Sequence, residues 1–156
     1  MSRRLVLDAS AALHAVLPGP AAEPVLDALS GAALVLAPDL YAIEVANSLW
    51  KYVRAGDLAV DEAVAKLDRA LALVDSLVPV EELAKESLVA AAESGHPVYD
   101  LAYAVLARRE GATVVTADRG FTEALRGLRS PVLCVAPEEA PRARGESRRR
   151  RTPGAR

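Results

Sequence analysis

Five short apolar runs punctuate the chain, and their spacing limits what it can fold into more than any other feature. Leu5–Leu7, Leu34–Leu36, Leu77–Val80, Val114–Val115 and Val132–Val135 are each too short for a helix and read as buried strands. Between them lie stretches with helical spacing. Asp8-Ala9-Ser10 opens a short helix that ends before Pro18-Gly19-Pro20, and a second passes through Val25, Leu26 and Leu29 to Gly31. Pro38 begins a long helix through Tyr41, Ile43, Leu49 and Val53 that stops at Gly56, and further helices are expected over Asp61–Val74 and Glu81–Ser94. Another starts at Pro97 and closes at Gly111, and a short one covers Gly120–Leu128. Crossovers of this length join parallel strands rather than hairpins. The expectation is an α/β fold, a three-layer α/β/α sandwich around a mainly parallel sheet of four to five strands. In such sheets a site lies beyond the carboxyl ends of the strands.

The 156 residues suit one domain, and a 52% hydrophobic content supplies a full core. Cys134 is the sole cysteine, so no internal disulfide can form and a reducing compartment is expected. Met1-Ser2-Arg3-Arg4 resembles the basic flank of an export signal, but Asp8 interrupts the apolar run at once. With no long apolar stretch to cross a bilayer, the expectation is a cytoplasmic protein without membrane contact. The net charge of −2 is unevenly distributed: residues 142–156 hold seven Arg and one Glu, a net +6, while residues 1–141 carry −8. The body, 1–141, reads as the folded domain and 142–156 as a basic tail lacking the apolar residues to pack. The tail is either a solvated end or an aid to nucleic-acid contact.

Three acids stand where the strand-end rule puts a site. Asp8 follows the first strand, Asp118 follows the fourth within Thr116-Ala117-Asp118, and Asp100 lies in the first turn of the Pro97 helix. A fourth, Glu44, interrupts a helix read as burying Leu40, Ile43, Leu49 and Trp50. Taken singly, each has a plainer use as a helix cap, a dipole partner or a solvated charge. The Asp100 helix, however, continues Leu101-Ala102-Tyr103-Ala104-Val105-Leu106-Ala107, apolar nearly all round, so it should be buried on most sides. Carboxylates that converge repel one another unless a cation joins them. All-oxygen donors select Mg²⁺ or Mn²⁺, and two histidines and one cysteine are a poor zinc set.

These acids sit in motifs that resemble those of PIN-domain ribonucleases. Asp8-Ala9-Ser10 resembles the family's opening motif, and Glu44-Val45-Ala46-Asn47 its second. Tyr99-Asp100-Leu101-Ala102-Tyr103 and Thr116-Ala117-Asp118-Arg119-Gly120-Phe121 resemble its third and fourth. All four occur in the family's order across about residues 5–136, and the small size is similar to the toxin ribonucleases of bacterial toxin–antitoxin pairs, often called VapC. The resemblance implies a Mg²⁺-dependent (or Mn²⁺-dependent) endoribonuclease, the toxin of a type II pair. Asp8, Glu44, Asp100 and Asp118 would form its acidic metal site, with Asp8 and Asp100 the firmest direct ligands. Ser10, Asn47 and Thr116 would orient carboxylates or contact a phosphate. It also implies a cognate antitoxin and a homodimer. The alternative is a catalytically silent module of the same fold that only binds RNA or a protein.

Other residues are expected to do less. His14 and His96 have no partner nearby in the sequence that would make them general bases. Tyr41, Trp50 and Tyr52 read as core or interface. Lys51, Arg54 and Arg119 are the cations nearest the acids, either RNA contacts or plain surface charge. No glycine-rich phosphate loop of the Walker type and no Rossmann fingerprint follows the first strand, which argues against a nucleotide-binding phosphohydrolase.

Overall fold

A computed structural model describes residues 3–136. Helices and strands alternate as β1 (Arg4–Leu7), α1 (Ala9–Val16), α2 (Ala22–Ser30), β2 (Leu34–Pro38), α3 (Leu40–Ala55), α4 (Val60–Leu71), β3 (Ser76–Val78), α5 (Val80–Ser94), α6 (Val98–Glu110), β4 (Thr113–Thr116), α7 (Arg119–Gly127) and β5 (Val132–Cys134). The strands form one all-parallel sheet in the order β3-β2-β1-β4-β5, so the α/β architecture read from the apolar runs is the observed one. The basic tail, 142–156, lies outside the described residues. Among those residues no helix is long and apolar enough to cross a membrane.

The chain enters the sheet at its centre, works outward through β2 to β3, then crosses back to the other side of β1 to lay down β4 and β5. With right-handed crossovers, that reversal puts α1–α4 over one face and α5–α7 over the other. It also makes β1 and β4 neighbours whose following segments diverge, the kind of crevice in which doubly wound sheets hold ligands. Register completes the placement. Leu5, Val6 and Leu7 pair with Thr113, Val114 and Val115, and the Asp8 N–H donates to the Val115 carbonyl at 2.9 Å. Asp8 therefore emerges beside Thr116, although 108 residues separate them.

α6 is the central helix of its layer. Leu101 through Ala107 are all buried, as the unbroken apolar sequence requires of a helix covered on most sides. α3 and α6, the helices that carry Glu44 and Asp100, both end at a glycine in the left-handed region, Gly56 (φ 83°) and Gly111 (φ 58°). Any side chain would be strained at either position.

Two local expectations fail. Pro38 is the last residue of β2, aligned with Val78, and α3 begins only at Leu40. A proline's fixed φ suits a strand end as well as a first helical turn, so its chemistry did not separate the two. The buried stripe of α3 is Tyr41, Val45 and Leu49, not the set that included Ile43 and Trp50, which are 69% and 50% exposed. Of the three aromatic residues assigned to core or interface, Tyr41 is fully buried and donates its hydroxyl to the Ala70 carbonyl at 2.8 Å, whereas Trp50 and Tyr52 face solvent.

Candidate active site

Beyond the carboxyl ends of β1 and β4 the chain turns at once into α1 and α7, and the two turns supply the first half of the site. Asp8 is 92% removed from solvent, yet its carboxylate does not cap α1. Its Oδ2 instead accepts hydrogen bonds from Ser10 Oγ at 2.5 Å and Thr116 Oγ1 at 2.6 Å. Both hydroxyls also accept, Ser10 from the Ala117 N–H (2.9 Å) and Thr116 from the Asp118 N–H (3.0 Å). The two turns are thereby stitched together through one buried carboxylate, with each hydroxyl used as donor and acceptor. Asp118 does what its plainer reading held: Oδ1 accepts from the Phe121 N–H at 2.9 Å and caps α7.

α3 and α6 bring the other two acids. Glu44 lies one position from the buried Val45, at the edge of the core-facing stripe, where Tyr103 donates its hydroxyl to Oε2. Asp100 sits one turn before Tyr103 on α6, its Oδ2 3.0 Å from His96 Nε2. That distance makes a Coulombic contact, and His96 Nε2 makes no hydrogen bond of good geometry. The imidazole also stacks on Phe121, with ring centres 5.7 Å apart and planes 16° from parallel.

The charges of the acids act on one another in pairs. Burial pushes the Asp8 carboxyl up, the two hydroxyls pull it back, and the Asp118 charge raises it further. Glu44 rises to about 7, chiefly through burial, opposed by the Tyr103 hydrogen bond and reinforced by the charges of Asp8 and Asp100. Burial lifts Asp100 too; the His96 charge counteracts this, and Asp8 and Asp118 add to it. Burial, with the charges of Asp8 and Glu44 adding to it, raises the Tyr103 hydroxyl, so it stays a proton donor. Asp8 and Asp100 thus feel each other and Asp118, and Glu44 feels Asp8 and Asp100, across four separate segments.

Of the residues expected to support them, Ser10 and Thr116 do so by direct hydrogen bonds. Asn47 makes no such bond among the described residues: it is exposed and, with Glu44, lines an open cavity of about 500 Å³. His96 and Tyr103 were missed by sequence reasoning. Their signal was present as spacing, since Tyr103 is at i+3 from Asp100 on one face of α6 and His96 lies four residues before Asp100, just ahead of the helix. His14 lines a separate cleft with Pro18, Tyr52 and Leu58, away from the acids.

A metal ion can be tested against this donor set. Among the described residues no three carboxylate, imidazole or thiol groups stand close enough together to coordinate one ion as placed. The kind of donor nevertheless fits a hard divalent cation: four carboxylates and two hydroxyls, and three of the carboxyl groups bind protons too readily because of burial and each other's charge. A positive charge among them would offset that repulsion.

Comparison with known proteins gives a consistent picture. A family model described as PIN domain matches residues 5–126. The chain is 36% identical over 130 residues to "Ribonuclease VapC3" of Pyrobaculum aerophilum, a match covering 82% of this chain and 99% of that protein. The crystal structure of PAE2754 from Pyrobaculum aerophilum superposes with a TM-score of 0.63 at 27% identity, covering 86% of this chain and 92% of that one. The crystal structure of FitAcB from Neisseria gonorrhoeae gives a TM-score of 0.55 at 21% identity over 84% of this chain and 97% of that one, a likeness of fold alone.

Proposed function

The chain belongs to the PIN-domain family as a VapC-type member, and on that premise we propose that it is a metal-dependent endoribonuclease, the toxin of a type II toxin–antitoxin pair. The observation that carries this reading is that Asp8, Glu44, Asp100 and Asp118, from four distant segments, act on one another's charge, with burial first and their repulsion second raising the proton affinity of three of them. A silent binding domain gains nothing from that repulsion. A phosphodiesterase does, because the same charges that destabilise the empty site attract a divalent cation.

Asp8 and Asp100 would hold Mg²⁺ or Mn²⁺ most directly, with Glu44 and Asp118 completing the acidic shell. The chemistry such an ion supplies is a lowered pKa for its water and charge stabilisation on the phosphate. The chain's own part is orientation. Ser10 and Thr116 fix Asp8 through Oδ2, Tyr103 fixes Glu44, His96 lies against Asp100, and the first turn of α7 fixes Asp118. Asp8, Glu44 and Asp118 therefore each have a hydrogen-bond donor and Asp100 a Coulombic neighbour, which limits rotameric freedom before substrate arrives. Without a cation, Glu44 holds its proton more tightly than an ordinary carboxyl, chiefly through burial, so it is the acid whose charge a bound cation would change most near neutral pH.

An antitoxin partner follows from the same charges, since a basic side chain entering among the acids would offset their repulsion as a metal does and compete with it. The proposal is tested by titrating Mg²⁺ or Mn²⁺ into chelator-treated protein while following thermal stability and cleavage of total RNA. Both should rise together. A titration that moves neither rejects the nuclease reading.

A further inference from the structure

One face of α3 leads away from Glu44 along a line that the acids do not use. Ile43, Asn47, Trp50 and Arg54 recur at i, i+4, i+7 and i+11, so they form a single stripe on the helix. Ile43, Glu44, Asn47 and Trp50 line one open cavity of about 500 Å³, which makes the acid and the indole parts of the same space. Trp50 is half exposed, and the Arg54 guanidinium lies 4.7 Å from its ring centre. That cation–π contact holds the ring in place without burying it. Neither Arg54 nor the neighbouring Lys51 joins an ion pair among the described residues. Over residues 1–141, with a net charge of −8, two such cations beside an aromatic ring and a carboxylate site are a local exception.

We propose that this stripe is a nucleotide subsite: a base of single-stranded RNA flanking the scissile phosphate stacks on Trp50, with Arg54 and Lys51 meeting the adjoining phosphate. The inference rests on the nuclease reading and extends it to the substrate's path. Trp50 lies six residues from Glu44, about 9 Å along the helix axis, or roughly two to three nucleotides at the 3.4 Å rise of a stacked strand. Aromatic ring, amide and cation are the groups that bind single strands, the ring by stacking and the cation by tracking the backbone. Asn47, between acid and indole, offers a donor and an acceptor to a base edge. Trp50 also borders an apolar cleft between α3 and α4, lined by Val53, Val60 and Val64. A helix from a protein partner would suit that cleft, but it would have no use for the amide between Glu44 and Trp50 or for the cations just beyond the ring.

Trp50 is the chain's only tryptophan, so its emission reports this site alone. The experiment titrates a mixed-sequence single-stranded RNA of roughly 12 nucleotides into the Asp100→Asn protein, kept from cleaving. Binding is followed in parallel by anisotropy of the labelled RNA. Tryptophan emission should be quenched with the same midpoint as the anisotropy. In the cleaving protein, Trp50→Ala should raise KM about tenfold with kcat little changed, and Trp50→Phe should recover most of that loss. Arg54→Ala should weaken binding and lessen its salt dependence. RNA that binds or is cleaved while Trp50 emission stays constant overturns the subsite and leaves the nuclease reading standing. So does a Trp50→Ala protein with unchanged KM whose mass in light scattering falls, which would mark the ring as a contact between protein chains. If the parent neither binds nor cleaves RNA, the nuclease reading fails and takes the subsite with it.

Discussion

Replacing Glu44 by Gln should stabilise the metal-free protein at alkaline pH, and the effect can be sized from the site. The folded chain raises the Glu44 carboxyl from 4.5 to about 7, so it holds this proton more tightly than the unfolded chain does. Stability from that difference is complete below about pH 4.5 and is lost as pH rises through about 7. At about 1.4 kcal/mol per unit, the full difference is about 3 kcal/mol. Glu44 is only partly buried, and solvent screening reduces this to about 1–2 kcal/mol. Gln cannot ionise, keeps the acceptor for the Tyr103 hydroxyl, and escapes the repulsion of Asp8 and Asp100. In chelator at pH 8, thermal unfolding of Glu44→Gln should therefore occur roughly 3–8 °C above the parent, and the gap should nearly close at pH 5. Adding Mg²⁺ should narrow the gap again at pH 8, because the parent gains more from the cation. A variant no more stable than the parent at pH 8, or equally favoured at both pH values, would refute the claim that Glu44 carries an unfavourable charge.

Asp100→Asn should abolish the rise in melting temperature that divalent cations give the parent and lower cleavage by about 10²-fold or more, measured on the same RNA. Thr116→Val keeps the buried volume but removes one donor to Asp8 and the acceptor of the Asp118 N–H. It should cost about 1–3 kcal/mol in denaturant unfolding and reduce cleavage, since Asp8 then rests on Ser10 alone. Leu101→Ala, fully buried beside Asp100, should cost about 2–5 kcal/mol by leaving a cavity in the central helix. Truncation after Pro141 should weaken RNA binding and flatten its dependence on salt by about 0.7 in log–log slope for each tail arginine that meets a phosphate; unchanged binding rejects a role for the tail.

Four strands were legible because their apolar runs are bounded by turn residues and carry no competing period; the run Leu77–Val80 instead holds an exposed edge strand that ends at Val78, with Pro79 and Val80 opening α5. Asp8 and Asp118 were legible for a related reason: a carboxylate directly after a buried strand is at the mouth of an α/β sheet wherever the strand lies. Glu44 and Asp100 needed more. Their helices could be recognised, but how each is turned about its axis depends on which side the sheet occupies. α3 has apolar residues on two sides, Tyr41, Val45 and Leu49 toward the core and Ile43 and Trp50 toward solvent, and composition does not rank them. The same ignorance hid Tyr103, which reads as one more core aromatic on α6 until α3 is packed close enough to present Glu44 to it.

Strand order is the physical step from which the site follows, and no local signal contains it. Had β4 been laid down outside β3 rather than against β1, the Thr116 hydroxyl could not reach Asp8, and Asp8 would be a buried charge with Ser10 as its only side-chain donor. A buried carboxylate so poorly partnered takes up a proton or costs several kcal/mol. The reversal of direction after β3 therefore does two things at once. It gives Asp8 the hydroxyl donors that make its burial tolerable, and it brings Asp118 close enough for its charge to make that burial unfavourable again. An acid held in place by hydrogen bonds and destabilised by its neighbours' charge is poised to gain from a cation. On this reasoning the Thr116 hydroxyl and the Asp118 charge act on Asp8 with opposite sign: Thr116→Val should raise the pH at which Asp8 ionises, and Asp118→Asn should lower it. Titration of the Asp8 carboxyl carbon by NMR in the metal-free protein checks both, and shifts in the same direction would show that the balance lies elsewhere.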